Sequence, residues 1–451
     1  MRVPVVPLLA WCGPCLPVAA LGLPLVVYLP PYYSGTLGLS LGMVGFLFAL
    51  VRLVDIPLDP LLGALMDQTR SRFGQFRPWL AGGLLVLGIG VFLLFMEKPG
   101  VSAPETFLNL FILYIGYSMT FLAQTSWGSR LSGDYAERAR IFGWWTAANV
   151  TGTILVLLVP PLIGGLGGPQ VSAAEASVHA MGWFILALLL PMLLGVALLV
   201  PEGEAPAAPH GVSFRAMVGL LADRRMRRLL GLDLLLSMIP AITGALFLFF
   251  FREVKGFSTQ QASILLLFYF VAGLASAPLW IRLATRWGKH RAVAISGAWI
   301  ATAQIFVLLV PPGNLVLAAL GMTLAGIPFA APAFLLRAML ADLNDALRLD
   351  RREAGGEERD ETGLSFALLT ATAKLGYAVP IGLLYPLLGL FGFSAAPGAD
   401  NSATALTALA ALFAGPPLVC GLIAWMLARR WPIDAAAHAA ITARLKAAAS
   451  G

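Results

Sequence analysis

Three ionisable residues stand close together in a strongly apolar stretch. Arg52, Asp55 and Asp59 fall at i, i+3 and i+7 in RLVDIPLDPLLGALMDQTRSRFGQFRP, the run from Arg52 to Pro78. On a helix that spacing puts them on one face. Two carboxylates at one low-dielectric site repel when both are ionised. A proton, a metal cation or an ammonium group relieves the repulsion, so the pair has the chemistry to bind and sense a cation. Where such a stretch crosses a bilayer its charges are costly and point by default to function. The plainer alternative is that Arg52 neutralises Asp55 and ties two helices together. Pro57 and Pro60 lie among these charges and remove helix hydrogen bonds. The freed carbonyls are either extra cation ligands lining a cavity or the mark of a structural kink.

The elements around this stretch are those of a membrane protein. Of 451 residues, 59% are hydrophobic and 12% charged, about half the roughly 25% charged content of a soluble domain. Mean hydropathy is +0.84. Apolar runs of about 20 residues, enough to span, lie near 5–30, 38–66, 79–96, 106–128, 142–165, 180–200, 229–251, 261–283, 292–311, 315–340, 362–390 and 404–428. All but five of the 30 lysines and arginines fall in even-to-odd connections or at the termini. Lys98, Arg252 and Lys255 occupy the opposite loops; Arg52 and Lys374 are inside spans. The positive-inside rule then places both termini in the cytoplasm of a cell (inner) membrane. The net charge of +7 is scattered in short clusters between apolar runs, which argues against a nucleic-acid partner.

The segment 201–228 contains the proline-rich PEGEAPAAPH and reads as a cytoplasmic linker. It separates an N-terminal bundle, 1–200, from a C-terminal bundle, 229–430, with a cytoplasmic tail over 431–451 that we expect to form a short surface helix. The charge-dense 342–361 connection reads as an amphipathic or flexible cytoplasmic segment. GALMDQTRSRFGQFRPW follows span two and PLWIRLATRWGKHRAV follows span eight, its counterpart six spans later. Both read as helix end, basic residue, aromatic-glycine, basic pair, next helix. Parallel six-span repeats mark the major facilitator architecture. The expected fold is therefore an all-α membrane protein, twelve transmembrane helices in two six-helix bundles around a central cavity.

Other chemistries find little support. Three cysteines give no disulfide framework. Trp11-Cys12-Gly13-Pro14-Cys15 has the form of a thioredoxin motif, but without a βαβ domain around it it reads as coincidence. His179, His210, His290 and His438 are expected in loops or the tail, with no metal spacing and no nucleophile–base cluster. No phosphate-binding G-x-x-x-x-G-K-[ST] occurs. An enzyme and a nucleotide-driven pump are both disfavoured.

The run Arg52-x-x-Asp55-x-x-x-Asp59-Pro60-x-x-Gly63-x-x-x-Asp67-x-Thr69-x-Ser71-Arg72-x-Gly74-x-x-Arg77-Pro78-Trp79 resembles the second span and following loop of the glycoside–pentoside–hexuronide:cation symporters, the melibiose-carrier group of the major facilitator superfamily. The preceding TLGLSLGMVG is similar to that family, as is Lys374-Leu375-Gly376 in span eleven behind Thr362-Gly363. The resemblance covers most of the chain. It implies alternating-access symport of a small organic solute, a sugar or glycoside, with H⁺ or Na⁺. It implies cation binding at Asp55 and Asp59, a candidate Na⁺ site, with Lys374 nearby. Lys374 would then be the internal counter-charge when the cation is absent, and Arg52 part of the same coupling face. No cofactor is implied, and we expect a monomer in the bilayer.

The sequence departs from that family where sugar is gripped. Sugar carriers have an acid in the first span, where Ala19 and Ala20 stand here. Their span-four acid aligns with Phe121, the aromatic one turn on with Thr125, and the span-five arginine with Thr146. Buried hydroxyls need partners, and the candidates left are Gln124, Trp127, Trp145, Asn149, Tyr32 and Tyr377, with Tyr33, Ser126 and Gln304 beside them. Trp127 and Trp145 either stack on the solute or pack against helices and lipid. Lipid carriers of the superfamily keep the second-span acids and the span-eleven lysine without the sugar constellation, so an amphiphilic or lipid-like solute is the alternative. A non-transporting sensor on the same fold is another. Asp67, Arg72, Arg77, Asp134 and Arg138, at cytoplasmic helix ends, are expected either to form a gate of ion pairs or to be a solvated basic rim.

Overall fold

A computed structural model describes residues 3–69, 71–132, 135–163, 173–200, 214–353, 362–396 and 398–449. Every regular element among them is helical. In chain order these are α1 (Val5–Gly35), α2 (Leu41–Gln68), α3 (Phe76–Phe95), α4 (Ala103–Arg130), α5 (Tyr135–Ile163) and α6 (Ala173–Leu199). A short α7 (Phe214–Ala222) precedes α8 (Arg224–Phe249), α9 (Thr259–Ala275), α10 (Ala277–Trp287), α11 (Lys289–Leu309) and α12 (Leu315–Gly326). The chain continues as α13 (Ala331–Glu353), α14 (Thr362–Leu390), α15 (Ala403–Arg429) and α16 (Ala435–Ala449). Eleven helical runs among the described residues are long and apolar enough to cross a membrane, and the bent pair α9–α10 makes a twelfth. The helix count thus agrees with the twelve runs in the sequence.

Polar side chains start several of these helices where the first backbone N–H groups lack partners. Ser40 accepts from Met43 N at the head of α2, and Ser102 from Glu105 N at the head of α4. Asp223 accepts from Arg225 N and Met226 N before α8. Asp434 accepts from Ala437 N before α16, so the alanine-rich tail is helical as expected.

Several helices depart from single straight spans. α1 breaks at Gly13–Pro14 and has a π-helical turn over Pro24–Tyr28; α8 ends in another over Phe250–Val254. The 261–283 run is bent by 40° between α9 and α10. Ser276 sits at the bend and donates to Gly273 O at 3.0 Å and Ile327 O at 2.5 Å. α12 and α13 form one apolar run with a turn over 327–330. α13 reaches Glu353, so the first half of the charged 342–361 connection is helix. The rest of that connection, 354–361, and most of the 201–228 linker lie outside the described residues.

The histidines correct one expectation. His179 lies on α6 and His290 on α11, not in loops, while His438 lies in the tail, on α16; His210 lies outside the described residues. The WCGPC thiols are buried and not joined. Cys15 instead takes a hydrogen bond from Gln124 Nε2 at 3.2 Å.

The described residues cluster into two compact units, the first within 1–209, 244–267 and 381–409, the second within 210–243, 268–380 and 410–451. In the first, α3 and α4 touch backbone to backbone at glycines. A Cβ on Gly90 would lie 2.7 Å from Leu113 Cβ, and one on Gly83 would lie 2.6 Å from Thr120 Oγ1. Small residues give close approach where lipid offers no hydrophobic drive between helices. In the second unit Leu229, Leu232, Trp280, Val293, Leu336 and Leu340 share one buried cluster. Trp280 Nε1 donates to Ile327 O at 2.7 Å across it.

The two halves of the sequence repeat share a backbone feature. Gly74 follows Phe73 with φ +100°, and Gly288 follows Trp287 with φ +94°. Only glycine adopts that region without strain.

Candidate functional site

α2 and α4 face each other in the first unit, and the apolar face of α2 is interrupted by its charges. Asp55 is 4% exposed. It accepts a 2.8 Å hydrogen bond from Ser118 Oγ on α4. Arg52, half-buried, lies with Cζ 5.3 Å from the ring centroid of Tyr114, a cation–π distance. Asp59 is half-buried one turn beyond Asp55. Tyr117 sits within the electrostatic reach of Arg52, Asp55 and Asp59 together. The three charges read from the sequence therefore lie along one part of α2, opposite Tyr114, Tyr117 and Ser118. Those three partners escaped the sequence reading. Their signal is the i, i+3 and i+4 spacing of hydroxyls in YIGYS, inside an otherwise apolar span.

An aromatic file runs on from this site. Tyr117 stacks on Phe121 at 6.1 Å, Phe121 meets Trp145 edge-on at 6.0 Å, and Trp145 meets Phe142 at 6.4 Å. Phe142 in turn meets Trp11 at 6.1 Å. Trp145 is half-buried, and its Nε1 has no hydrogen-bond partner among the described residues. An indole N–H is a donor only, so this group has capacity to spare.

The other solute candidates are more committed. Gln124 is 1% exposed and its Nε2 donates to Trp11 O at 2.8 Å as well as to Cys15. Asn149 Nδ2 donates to Trp145 O at 2.8 Å, one turn back on α5. Trp127 is fully buried and stacks on Phe76 at 6.4 Å. Tyr32 is buried on α1, with its hydroxyl donating to Glu97 O at 2.9 Å and 3.3 Å from His179 Nε2. Tyr32 also lines a cavity of ≈ 130 Å³ with Tyr28, Thr36, Arg252, Glu253 and Thr259, away from the acids of α2. Tyr33 is buried, its hydroxyl donating to Leu94 O at 3.1 Å. Lys374 and Tyr377 are half-buried on α14 in the second unit, where Gln304 on α11 is buried.

The basic turn after α2 is tightly built. Ser71 Oγ donates to Gly74 O, Trp79 Nε1 to Thr69 Oγ1, and Gln75 Nε2 to Met66 O. Arg130 Nη1 donates to Gln75 Oε1 at 2.6 Å and its guanidinium lies 4.6 Å from the Phe76 ring centroid. Of the gate candidates, Arg77 donates to Val200 O at 2.5 Å, and Arg72 is exposed over the Phe73 ring. The side chains of Asp67 and Arg138, and all of Asp134, lie outside the described residues. Arg140 and Glu137 form an ion pair at 2.5 Å that also holds the backbone of Val3. In the second unit Lys289, directly after Gly288, pairs with Asp342 at 2.7 Å.

One intramembrane carboxylate was missed altogether. Asp233 lies on α8, inside the run 229–251 that the sequence marks as apolar, and is 9% exposed. A charge count along that span would have found it.

Comparison with known proteins agrees with this architecture. The family of MFS/sugar transport proteins matches residues 12–435. The inner membrane symporter YicJ of Escherichia coli (strain K12) is 25% identical over 416 residues, covering 90% of this chain and 87% of that protein. A lactose permease of Lactobacillus delbrueckii subsp. bulgaricus is 27% identical over 353 residues, 74% of this chain and 54% of that longer relative. Among solved structures, a point mutant of the nucleoside transporter NupG superposes with a TM-score of 0.68 at 17% identity, covering 94% of this chain and 98% of its own. At that identity the likeness bears on the fold, which is the major facilitator fold. The chain therefore belongs to the MFS/sugar transport family, as a multi-pass membrane transporter.

Proposed function

We propose that this transporter is a symporter that moves a small organic solute together with H⁺ or Na⁺ by alternating access. Asp55 and Asp59 are the coupling carboxylates, and Arg52 and Lys374 the fixed counter-charges that compete with the cation. The observation that carries this reading is Asp55 itself, a carboxylate 4% exposed on an apolar helix, which accepts a 2.8 Å hydrogen bond from Ser118 and shares its stretch of α2 with Arg52 and Asp59. Two carboxylates at one low-dielectric site repel when both are ionised, and an arriving cation relieves that repulsion. The rocking bodies are residues 1–200 and 229–430, joined through 201–228, with both termini on the basic, cytoplasmic side. Asp67, Arg72, Arg77, Asp134 and Arg138 close that side.

The printed descriptions of the relatives favour a sugar or glycoside as solute. One observation favours a second reading, an amphiphile. The amide nitrogens of Gln124 and Asn149 and the hydroxyl of Tyr32 already have protein partners. Phe121, Phe142 and Trp145 supply ring surface instead. Uptake into proteoliposomes under an imposed Na⁺ or H⁺ gradient tests both, using a panel of disaccharides, pentosides and single-chain amphiphiles. Gradient-dependent accumulation of one class assigns the solute; none across the whole panel would sink the symporter reading.

A further inference from the structure

A buried acid in the second unit has no role in the scheme above. Asp233 sits nine residues after Arg224 on α8, about 13 Å along the helix axis. It is 9% exposed, and its Oδ2 has no hydrogen-bond partner among the described residues. Its neighbours Leu229, Leu230, Leu232 and Leu236 belong to the apolar cluster of that unit. Beyond α8 itself, the helices contributing to this cluster carry Arg282 and Arg286 (α10), Lys289, His290 and Arg291 (α11), Arg337, Asp342, Asp345 and Arg348 (α13), Lys374 (α14) and Arg429 (α15). Of these charges, Arg337 is the one whose field reaches Asp233. Arg337 is exposed, and its Nη1 donates to Ala333 O on its own helix at 2.5 Å. The two charges attract without forming an ion pair.

That combination is unstable towards one proton. An ionised carboxylate with an unfilled buried oxygen is strongly disfavoured and is relieved by taking up H⁺. The Arg337 charge pulls the other way. The balance is set by helix positions, because α14 crosses α8 one turn beyond Asp233. A Cβ on Gly376 would stand 2.6 Å from Ser237 Cβ and 3.3 Å from Met238 N. Any slide of α14 or α13 against α8 changes how far Asp233 lies from Arg337 and from water.

We propose that Asp233 is a proton-binding site of the second unit, set against Arg337, and separate from the carboxylates of α2. Its ligand is H⁺, taken up by the carboxylate when Arg337 is disengaged and released when the two pair.

Infrared difference spectroscopy on the full chain in liposomes tests this without solute or gradient, so its outcome is independent of the symporter reading. The sample is titrated from about pH 5 to pH 9. The expected result is a carbonyl stretch of a buried protonated carboxyl that fades as pH rises. It is missing in Asp233→Asn, shifted in frequency in Asp233→Glu, and retained in Asp55→Asn. In Arg337→Gln its midpoint moves upward by about one pH unit, since a nearby positive charge has been removed. A band that survives Asp233→Asn overturns the assignment. So does a band that ignores pH or Arg337→Gln. Should Asp233→Asn fail to fold, an unshifted band in Asp233→Glu overturns it equally.

Discussion

The close packing of α3 on α4 can be tested at one atom. Gly116 lies on α4 two residues before Ser118, the donor to Asp55. A Cβ at Gly116 would run into Leu87 N and come within 2.7 Å of Leu87 Cα and 2.9 Å of the Val86 carbonyl carbon, where ordinary contact begins at 3.4 Å. These are backbone atoms with no rotamer to retreat into, so Gly116→Ala forces the helices apart by roughly 1 Å. Overpacking of this kind costs about 1–3 kcal/mol. Gly195→Ala is the matched control, because nothing lies within 4 Å of its added Cβ, and alanine is the better helix former by up to about 1 kcal/mol. Thermal unfolding of the two purified variants should move in opposite directions, Gly116→Ala downward and Gly195→Ala unchanged or slightly upward. Equal losses in both, or no loss in Gly116→Ala, would refute the packing argument.

Other expectations follow from the same geometry. Trp145→Phe keeps the ring contacts and removes a spare N–H worth about 1 kcal/mol, so KM for the transported solute should rise severalfold at similar kcat; an unchanged KM takes Trp145 out of the solute site. Gly74→Ala and Gly288→Ala each put a side chain at φ +100° or +94°, at a cost of about 1–2 kcal/mol, and both should lower the unfolding temperature; unaltered stability would contradict the shared turn. At Asp223, burial pushes the carboxyl up, but hydrogen bonds from Arg225 and from the N–H groups of Met226 and Arg225 outweigh it and hold it below 3.8. A depressed folded-state value gives stability that is full above pH 3.8 and is lost as pH falls through the lower folded value. Asp223→Asn, which keeps the helix cap but not the charge, should flatten the acid limb of the stability profile; an identical limb would remove Asp223 from it.

Much of this was legible because a bilayer imposes long apolar runs and confines charge. Hydropathy marked the spans, and the misplaced charges Arg52, Asp55 and Asp59 marked the candidate site. The aromatic-glycine repeat was visible in the sequence, and the structure gives it a physical cause in the positive φ of Gly74 and Gly288. What stayed hidden depends on contacts between helices. Nothing local to Gln124 says that its amide is consumed by Trp11 and Cys15, or that Ser118 is the hydroxyl that meets Asp55. The bend at Ser276 was not legible either, since Ser276 is paired with Ile327, distant in sequence. His438 is a tail residue, as expected, but nothing in the sequence says that its ring lies 3.0 Å from Asp345 on α13. Asp233 was overlooked for a simpler reason: one acid does little to the mean hydropathy of a leucine-rich span.

In the proposed mechanism Asp55 couples cation movement to solute movement. Asp55→Asn has nearly the same shape and can still meet Ser118, but lacks the charge that a cation must neutralise. In proteoliposomes, solute counterflow, which needs no gradient, should persist in Asp55→Asn while accumulation driven by a Na⁺ or H⁺ gradient falls to the level of empty vesicles. Gradient-driven accumulation at the wild-type level in Asp55→Asn would contradict the account.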